Sequence, residues 1–258
     1  MSSSPPPDPS SPPDPGSPPD PSTLRRSYEA DGLEPEQLAP TWVEQFARWF
    51  ADAVEAARGG DPSGQPAPAG RPDGIAEANA AVLATASAAG RPSARTVLIK
   101  AFDHRGLVVY TNYTSRKGRE SAANPYGSLV LPWYALARQV VVVGSLEQVS
   151  RAETERYFRS RPRGSQLGAW ASRQSETIGS RAELDERAAR LAARWPPGTP
   201  VPTPPFWGGL RLVPETVEFW QGRSNRLHDR LRYRRGTADP ARPDVTDPDH
   251  WIVERLSP

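Results

Sequence analysis

Four groups of residues in this chain have types and spacings that could do chemistry. Arg95 and Lys100 stand at the two ends of one apolar stretch, RTVLIK. Arg116 and Lys117 follow directly on Thr114 and Ser115. A helix starting there offers free backbone N–H groups and the positive end of its dipole, which favours an anion. Tyr157, Arg161 and Ser165 recur at intervals of four, which puts the first two on one helical face. Arginine forks and lysines combined with hydroxyl donors are what two phosphate groups require. Ordinary surface cations and helix caps have the same spacing, so spacing alone leaves both readings open. The fourth group lies in GRSNRLHDRLRYRRG, Gly222 to Gly236. Read as a strand, this stretch puts Arg226, His228 and Arg230 on one face and Leu227 on the other. Arg232 to Arg235 read as solvated.

Several chemistries are excluded. No G-x-G-x-x-G follows a strand and no G-x-x-x-x-G-K-[ST] occurs, so neither nucleotide loop is available. Cysteine is absent, which removes disulfides, thiolate catalysis and sulfur-ligated metals. Three histidines, at 104, 228 and 250, do not make a zinc site, so no metal is expected. The net charge of +2 is small, and the aromatics near the arginine-rich stretch form no evenly spaced stacking platform. A nucleic-acid partner is therefore not expected. No apolar run approaches the roughly 20 residues that span a bilayer, and the N-terminus lacks a signal-peptide pattern. The expectation is a cytoplasmic protein without a membrane partner.

These groups need elements to position them. Residues 1–22 hold 10 of the 31 prolines and no Lys or Arg, and read as a disordered Pro/Ser-rich tail. Residues 23–58 form an N-terminal segment and helix, 59–74 a flexible insertion, and 75–258 the main domain. Capping-box patterns open helices at Thr41, Ser150 and Ser180, the second stopping at Arg161-Pro162 and the third near Trp195-Pro196. A short helix fills 116–123, because Asn124-Pro125 cannot continue it. Strands are expected at 80–87, 95–102, 107–112, 127–133 and 138–150. WGGLRLV and TVEFWQG follow as two strands around a turn at Pro214-Glu215, with HWIVERLSP last. Short, mostly sequential strands with few helices between them favour a mainly β, antiparallel barrel with peripheral helices.

Ordered along the chain, RTVLIK, VVYTN with SRKG, LPWYALARQVVVVG, YFRSRPRGSQLGAWASRQS, PPFWGGLRLVPETVEFWQG, NRLHDR and ERLSP resemble the pyridoxamine 5'-phosphate oxidase family. The resemblance runs from about Leu24 to Pro258, and RPRGSQLGAWASRQS and RLHDR are its most specific parts. It implies an antiparallel split β-barrel, a homodimer with FMN at the interface and both chains contributing to each site. The implied reaction oxidises pyridoxine or pyridoxamine 5'-phosphate to pyridoxal 5'-phosphate. Dioxygen accepts the electrons, giving hydrogen peroxide, and the amine also releases ammonia. The implied FMN residues are Arg95, Thr96, Val97, Leu98, Ile99, Lys100, Tyr110, Thr111, Arg116 and Lys117, with Gln139, Gln174, Ser175, Trp207 and Arg230. Implied substrate contacts are Lys100, Tyr157, Arg161 and Ser165, with Arg226, Leu227 and His228. Arg226 and His228 are the implied catalytic pair. LRRSY resembles the family's segment that folds over bound substrate, through Arg25, Arg26 and Tyr28. A split-barrel relative that binds flavin or pyridoxal phosphate without turnover is the alternative.

Overall fold

The computed structural model describes residues 28, 32–58, 77–236 and 251–258. The expectations placed on 1–22 and 59–74, and on Arg25 and Arg26, lie outside the described residues.

Eight strands form one antiparallel sheet: β1 Ala80–Ala86, β2 Pro92–Asp103, β3 Gly106–Asn112, β4 Tyr126–Trp133, β5 Arg138–Gln148, β6 Trp207–Gln221, β7 Asp229–Arg235 and β8 Trp251–Arg255. Their order is β3-β2-β1-β4-β5-β6-β7-β8, and an additional β3–β6 pairing closes the first six into a barrel. Alternation drives the closure. Ala81, Leu83, Leu129, Leu131, Val140, Val142, Val217 and Phe219 all point inward and are buried.

The sequence places a turn at Pro214-Glu215, but β6 runs through it as one strand of 15 residues. Val143 pairs with Thr216 and Gly144 with Pro214, so Glu215 is the extra residue of a bulge. Proline has no N–H to lose there, and a bulge is one of the few sheet positions that tolerate it. Close approach makes Gly144 necessary, since a Cβ would lie 1.9 Å from the Val213 carbonyl oxygen. Beyond the bulge β6 leaves β3 and takes β7 as its neighbour.

The expected strand across 226–228 is likewise absent. Residues Ser224–Arg226 form a 3-10 turn with Asn225 and Arg226 at φ 55° and 62°, and β7 begins only at Asp229. Arg232 and Arg234, expected to be solvated, both pair with Glu254 on β8, while Leu231 and Tyr233 are fully buried.

Five α-helices surround the barrel: α1 Trp42–Ala57, α2 Arg116–Ala123, α3 Arg151–Ser160, α4 Arg163–Ala171 and α5 Arg181–Arg194. On α1 the Thr41–Glu44 capping box is complete. Its buried stripe, Trp42, Phe46, Trp49 and Ala53, packs into the barrel core, Phe46 against Phe102 at 4.8 Å and Trp49 against Phe219 at 5.2 Å. Burying each large side chain contributes roughly 1.5–3 kcal/mol. Ser150 and Ser180 cap α3 and α5, but neither capping box is complete: Glu153 accepts from the Ser150 hydroxyl and pairs with Arg211, and Glu183 accepts from the Gly179 N–H. The Arg161-Pro162 stop ends α3 as expected. Pro162 then serves as N-cap of α4, which was not read from the sequence. Among the described residues no helix is long and apolar enough to cross a membrane.

Candidate active site

A cavity of about 400 Å³ opens where β2, β3 and the start of β6 meet α2, α3 and α4. Of the residues singled out in the sequence, Thr96, Val97, Leu98, Lys100, Tyr110 and Thr111 line it from the barrel wall. Lys117 enters from α2, Tyr157 and Arg161 from α3, and Ser165 from α4, with Gln174 and Trp207 completing the lining. Ile99 faces the other way, into the core, and presents no side chain to the cavity. Ser175 follows Gln174 with a left-handed φ of 73°.

One wall is aromatic. Tyr110 stacks on Tyr157 at 3.9 Å and on Trp207 at 5.3 Å. The Arg161 guanidinium lies over Trp207 at 4.7 Å. Among the described residues Arg161 makes no ion pair, and one of its Nη atoms is buried without a hydrogen-bond partner. Burial pulls its pKa below the ordinary arginine value. Lys117 is in the same position. Its Nζ donates to Thr111 Oγ1 and Gln174 Oε1, both at 3.0 Å, and no carboxylate pairs with it among the described residues. Burial, and then the nearby Arg95, lower its pKa to about 8. A buried cation without a counter-ion is costly unless an anion reaches it. Lys117 is such a cation, and half-buried Arg161 is a second cation of this cavity with no ion pair among the described residues.

Arg95 and Arg116 stand at the Lys117 end but are turned to a carboxylate. Glu120, buried, pairs with Arg116 at 2.9 Å and with Arg95 at 3.4 Å. Burial acts to raise the Glu120 pKa, but the hydroxyls of Ser93 and Thr85 together with Arg116 bring it down to about 2.

The remaining residues gather elsewhere. Gln139, Trp220 and Arg230 sit side by side across β5, β6 and β7. Arg230 is held by Glu218 through two bonds of 2.7 and 2.9 Å. The His228 ring lies 4.6 Å from Trp220 and 6.1 Å from Tyr28. The Arg223 N–H donates to His228 Nδ1 at 3.1 Å, which leaves Nε2 to carry the ring proton when the ring is neutral. Gly222 makes room for Tyr28, since a Cβ there would stand 2.8 Å from the Tyr28 ring. Arg226 and Leu227 lie on the turn between, and Leu227 is exposed.

Trp207 and Trp220 mark the two clusters at opposite ends of β6, 13 steps apart, a path of about 40 Å at roughly 3.3 Å per residue. None of Gln139, Arg226, His228 or Arg230 reaches the cavity of the same chain. Trp220 and Glu120 were not singled out in the sequence. Strand alternation alone puts Trp220 on the outer face beside inward Phe219, but nothing local ties it to His228.

Two family models match the chain: Pyridoxamine 5'-phosphate oxidase over residues 72–195, and Pyridoxine 5'-phosphate oxidase C-terminal dimerisation region over 207–258. A pyridoxine/pyridoxamine 5'-phosphate oxidase of Frankia alni is 70% identical over 234 residues, covering 91% of this chain and 87% of the relative. One from Streptomyces avermitilis is 53% identical over 238 residues, covering 92% and 96%. Among solved structures, PhzG from Burkholderia lata 383, in complex with tetrahydrophenazine-1-carboxylic acid, is similar with a TM-score of 0.71 and 30% identity. That match covers 90% of this chain and 100% of PhzG.

Proposed function

The chain belongs to the pyridoxamine 5'-phosphate oxidase family, and we propose that it oxidises pyridoxamine and pyridoxine 5'-phosphates to pyridoxal 5'-phosphate with FMN as cofactor. It is an oxidoreductase of that family. The observation that carries the finer reading is the pair of cations, buried Lys117 and half-buried Arg161, in one cavity without a carboxylate for either among the described residues. FMN and the substrate each bring one phosphate, and the cavity has a basic, hydroxyl-bearing subsite for each.

The chemistry FMN supplies when bound is acceptance of a hydride from the substrate's C4' and reoxidation by dioxygen, with hydrogen peroxide formed and ammonia released from the amine. The chain's own residues bind and orient. Lys117, with Arg95 and Arg116 behind it, holds the FMN phosphate, and Thr111 and Gln174 fix the lysine's direction. Arg161, Tyr157 and Ser165 hold the substrate phosphate at the other side. Lys100 lies on the strand between them and reaches the substrate. Arg226 and His228 cover the substrate ring and set C4' for transfer, a positioning effect of a kind that supplies up to about 7–11 kcal/mol of a barrier.

That last assignment needs a second copy of the chain. The two clusters are at opposite ends of β6, so a complete site takes the cavity of one protomer and the Trp220–Arg230 cluster of its partner. Two features support a homodimer. The matched dimerisation region covers β6 to β8. Val82, Val130 and Val141 also stand in register on the outer face of β1, β4 and β5, an apolar band on the side away from the core.

The test is the visible spectrum of the purified protein, followed by pyridoxamine 5'-phosphate under anaerobic conditions. Flavin bands that bleach on addition are expected. Bands that persist would mark a non-catalytic flavin binder, and a protein that takes up no FMN would end the proposal.

A further inference from the structure

At the Lys117 end of the cavity the cations outnumber the carboxylates. Arg95, Arg116 and Lys117 converge there, and Glu120 is the one carboxylate paired with any of them among the described residues. Its two oxygens do different work. Oε2 accepts from the hydroxyls of Thr85 and Ser93, each at 2.5 Å, and from Arg95. Oε1 accepts from Arg116 Nε at 2.9 Å. The same two hydroxyls accept from Arg95, Thr85 at 2.6 Å, and a further Arg95 bond goes to the Leu83 carbonyl at 3.1 Å.

The result is a closed set. One carboxylate on α2 is tied to β1 and β2, and through it one arginine of the barrel and one of the helix are held in fixed directions. Among the described residues Arg116 is secured by Nε alone, which leaves its Nη edge for an anion. The Glu120 side chain is 8% exposed, against 58% for Arg116. The carboxylate is thus the buried anchor and the arginine the outward fork.

We propose that Glu120 is a positioning residue that orients Arg95 and Arg116 for a phosphate group and thereby makes the site prefer a phosphorylated flavin over its unphosphorylated form. The inference rests on the FMN reading above. Its consequence runs against simple charge counting. Removing a carboxylate makes the surroundings one unit more positive, and charge alone would tighten phosphate binding. Positioning gives the opposite sign, because two guanidinium groups and two hydroxyls lose their common acceptor and the fork its direction.

The experiment measures dissociation constants of FMN and riboflavin by quenching of flavin fluorescence, in the full chain and in Glu120→Gln. FMN binding is expected to weaken by about tenfold or more while riboflavin binding changes little, since the charge-assisted hydrogen bonds that aim the arginines at a phosphate are lost. Ser93→Ala, which keeps the carboxylate but removes one hydroxyl that aims it, is expected to show a smaller loss of the same sign. It carries the test if Glu120→Gln does not fold. An unchanged or tightened FMN affinity, with riboflavin unaffected, overturns the assignment. A parent protein that binds neither flavin overturns the FMN reading itself, a separate result.

Discussion

Arg161→Ala and Arg226→Ala are expected to be nearly inactive alone and to restore one another when mixed. In a homodimer of either variant both sites lack an essential arginine, and a loss of about a hundredfold or more is expected from a misplaced substrate. The two positions belong to clusters about 40 Å apart along β6, at roughly 3.3 Å per residue, so they act in one site only across two chains. In a mixed dimer one site receives both substitutions and the other receives neither. Random exchange at equal concentrations makes about half of all dimers mixed, and each has one intact site of two, so about a quarter of parental activity returns. The assay is steady-state pyridoxal 5'-phosphate formation after co-expression, with differently tagged chains to count mixed dimers. Activity that stays at the single-variant background although mixed dimers are present would refute the argument, because each chain would then build its site alone.

Arg226→Ala is expected to keep its flavin spectrum while turnover falls sharply; full activity would remove Arg226 from the reaction. Affinity for FMN is expected to fall as pH rises through about 8, because the anion needs protonated Lys117, whose folded pKa lies near that value. Riboflavin titrated at the same pH values should show no such step. The same depressed pKa means the unfolded chain binds more protons between about 8 and 10.5, so this residue makes the flavin-free protein more stable as pH rises through that window. Phe46→Ala, at a fully buried position, is expected to cost about 3–5 kcal/mol, read as a lower denaturant midpoint with the same slope.

Much of this was legible in the chain because local rules and the global fold agree. The Thr41 box, the 116–123 helix and the alternating apolar strands each announce themselves within a few residues. Most of the failures have one cause, a local signal overruled by a distant partner. Pro214-Glu215 has turn chemistry, but Gly144 on the neighbouring strand accepts the proline at a bulge. Arg232 and Arg234 look like solvent-facing charge, yet Glu254 pairs both from β8. Arg226 and His228 were expected to share a strand face. His228 instead reaches Trp220 after a left-handed turn at two residues that carry side chains, Asn225 and Arg226, which no alternation pattern encodes. Glu120 was passed over for a related reason. As one acid in a polar helix it has no motif, and its meaning comes from Thr85, Ser93 and Arg95 on two other strands.

The seam between β3 and β6 also governs how the cavity comes into being. It joins Leu107 to Leu212, about a hundred positions apart, whereas the β2–β3 and β4–β5 hairpins close over a few residues. Local hairpins form quickly and distant pairings late, since the long loop's entropy must be overcome first. Thr111 and Trp207 sit on that last seam, paired with Gly208 and Asn112. Both residues line the cavity, so that wall exists only once the two distant strands have met and the barrel is closed.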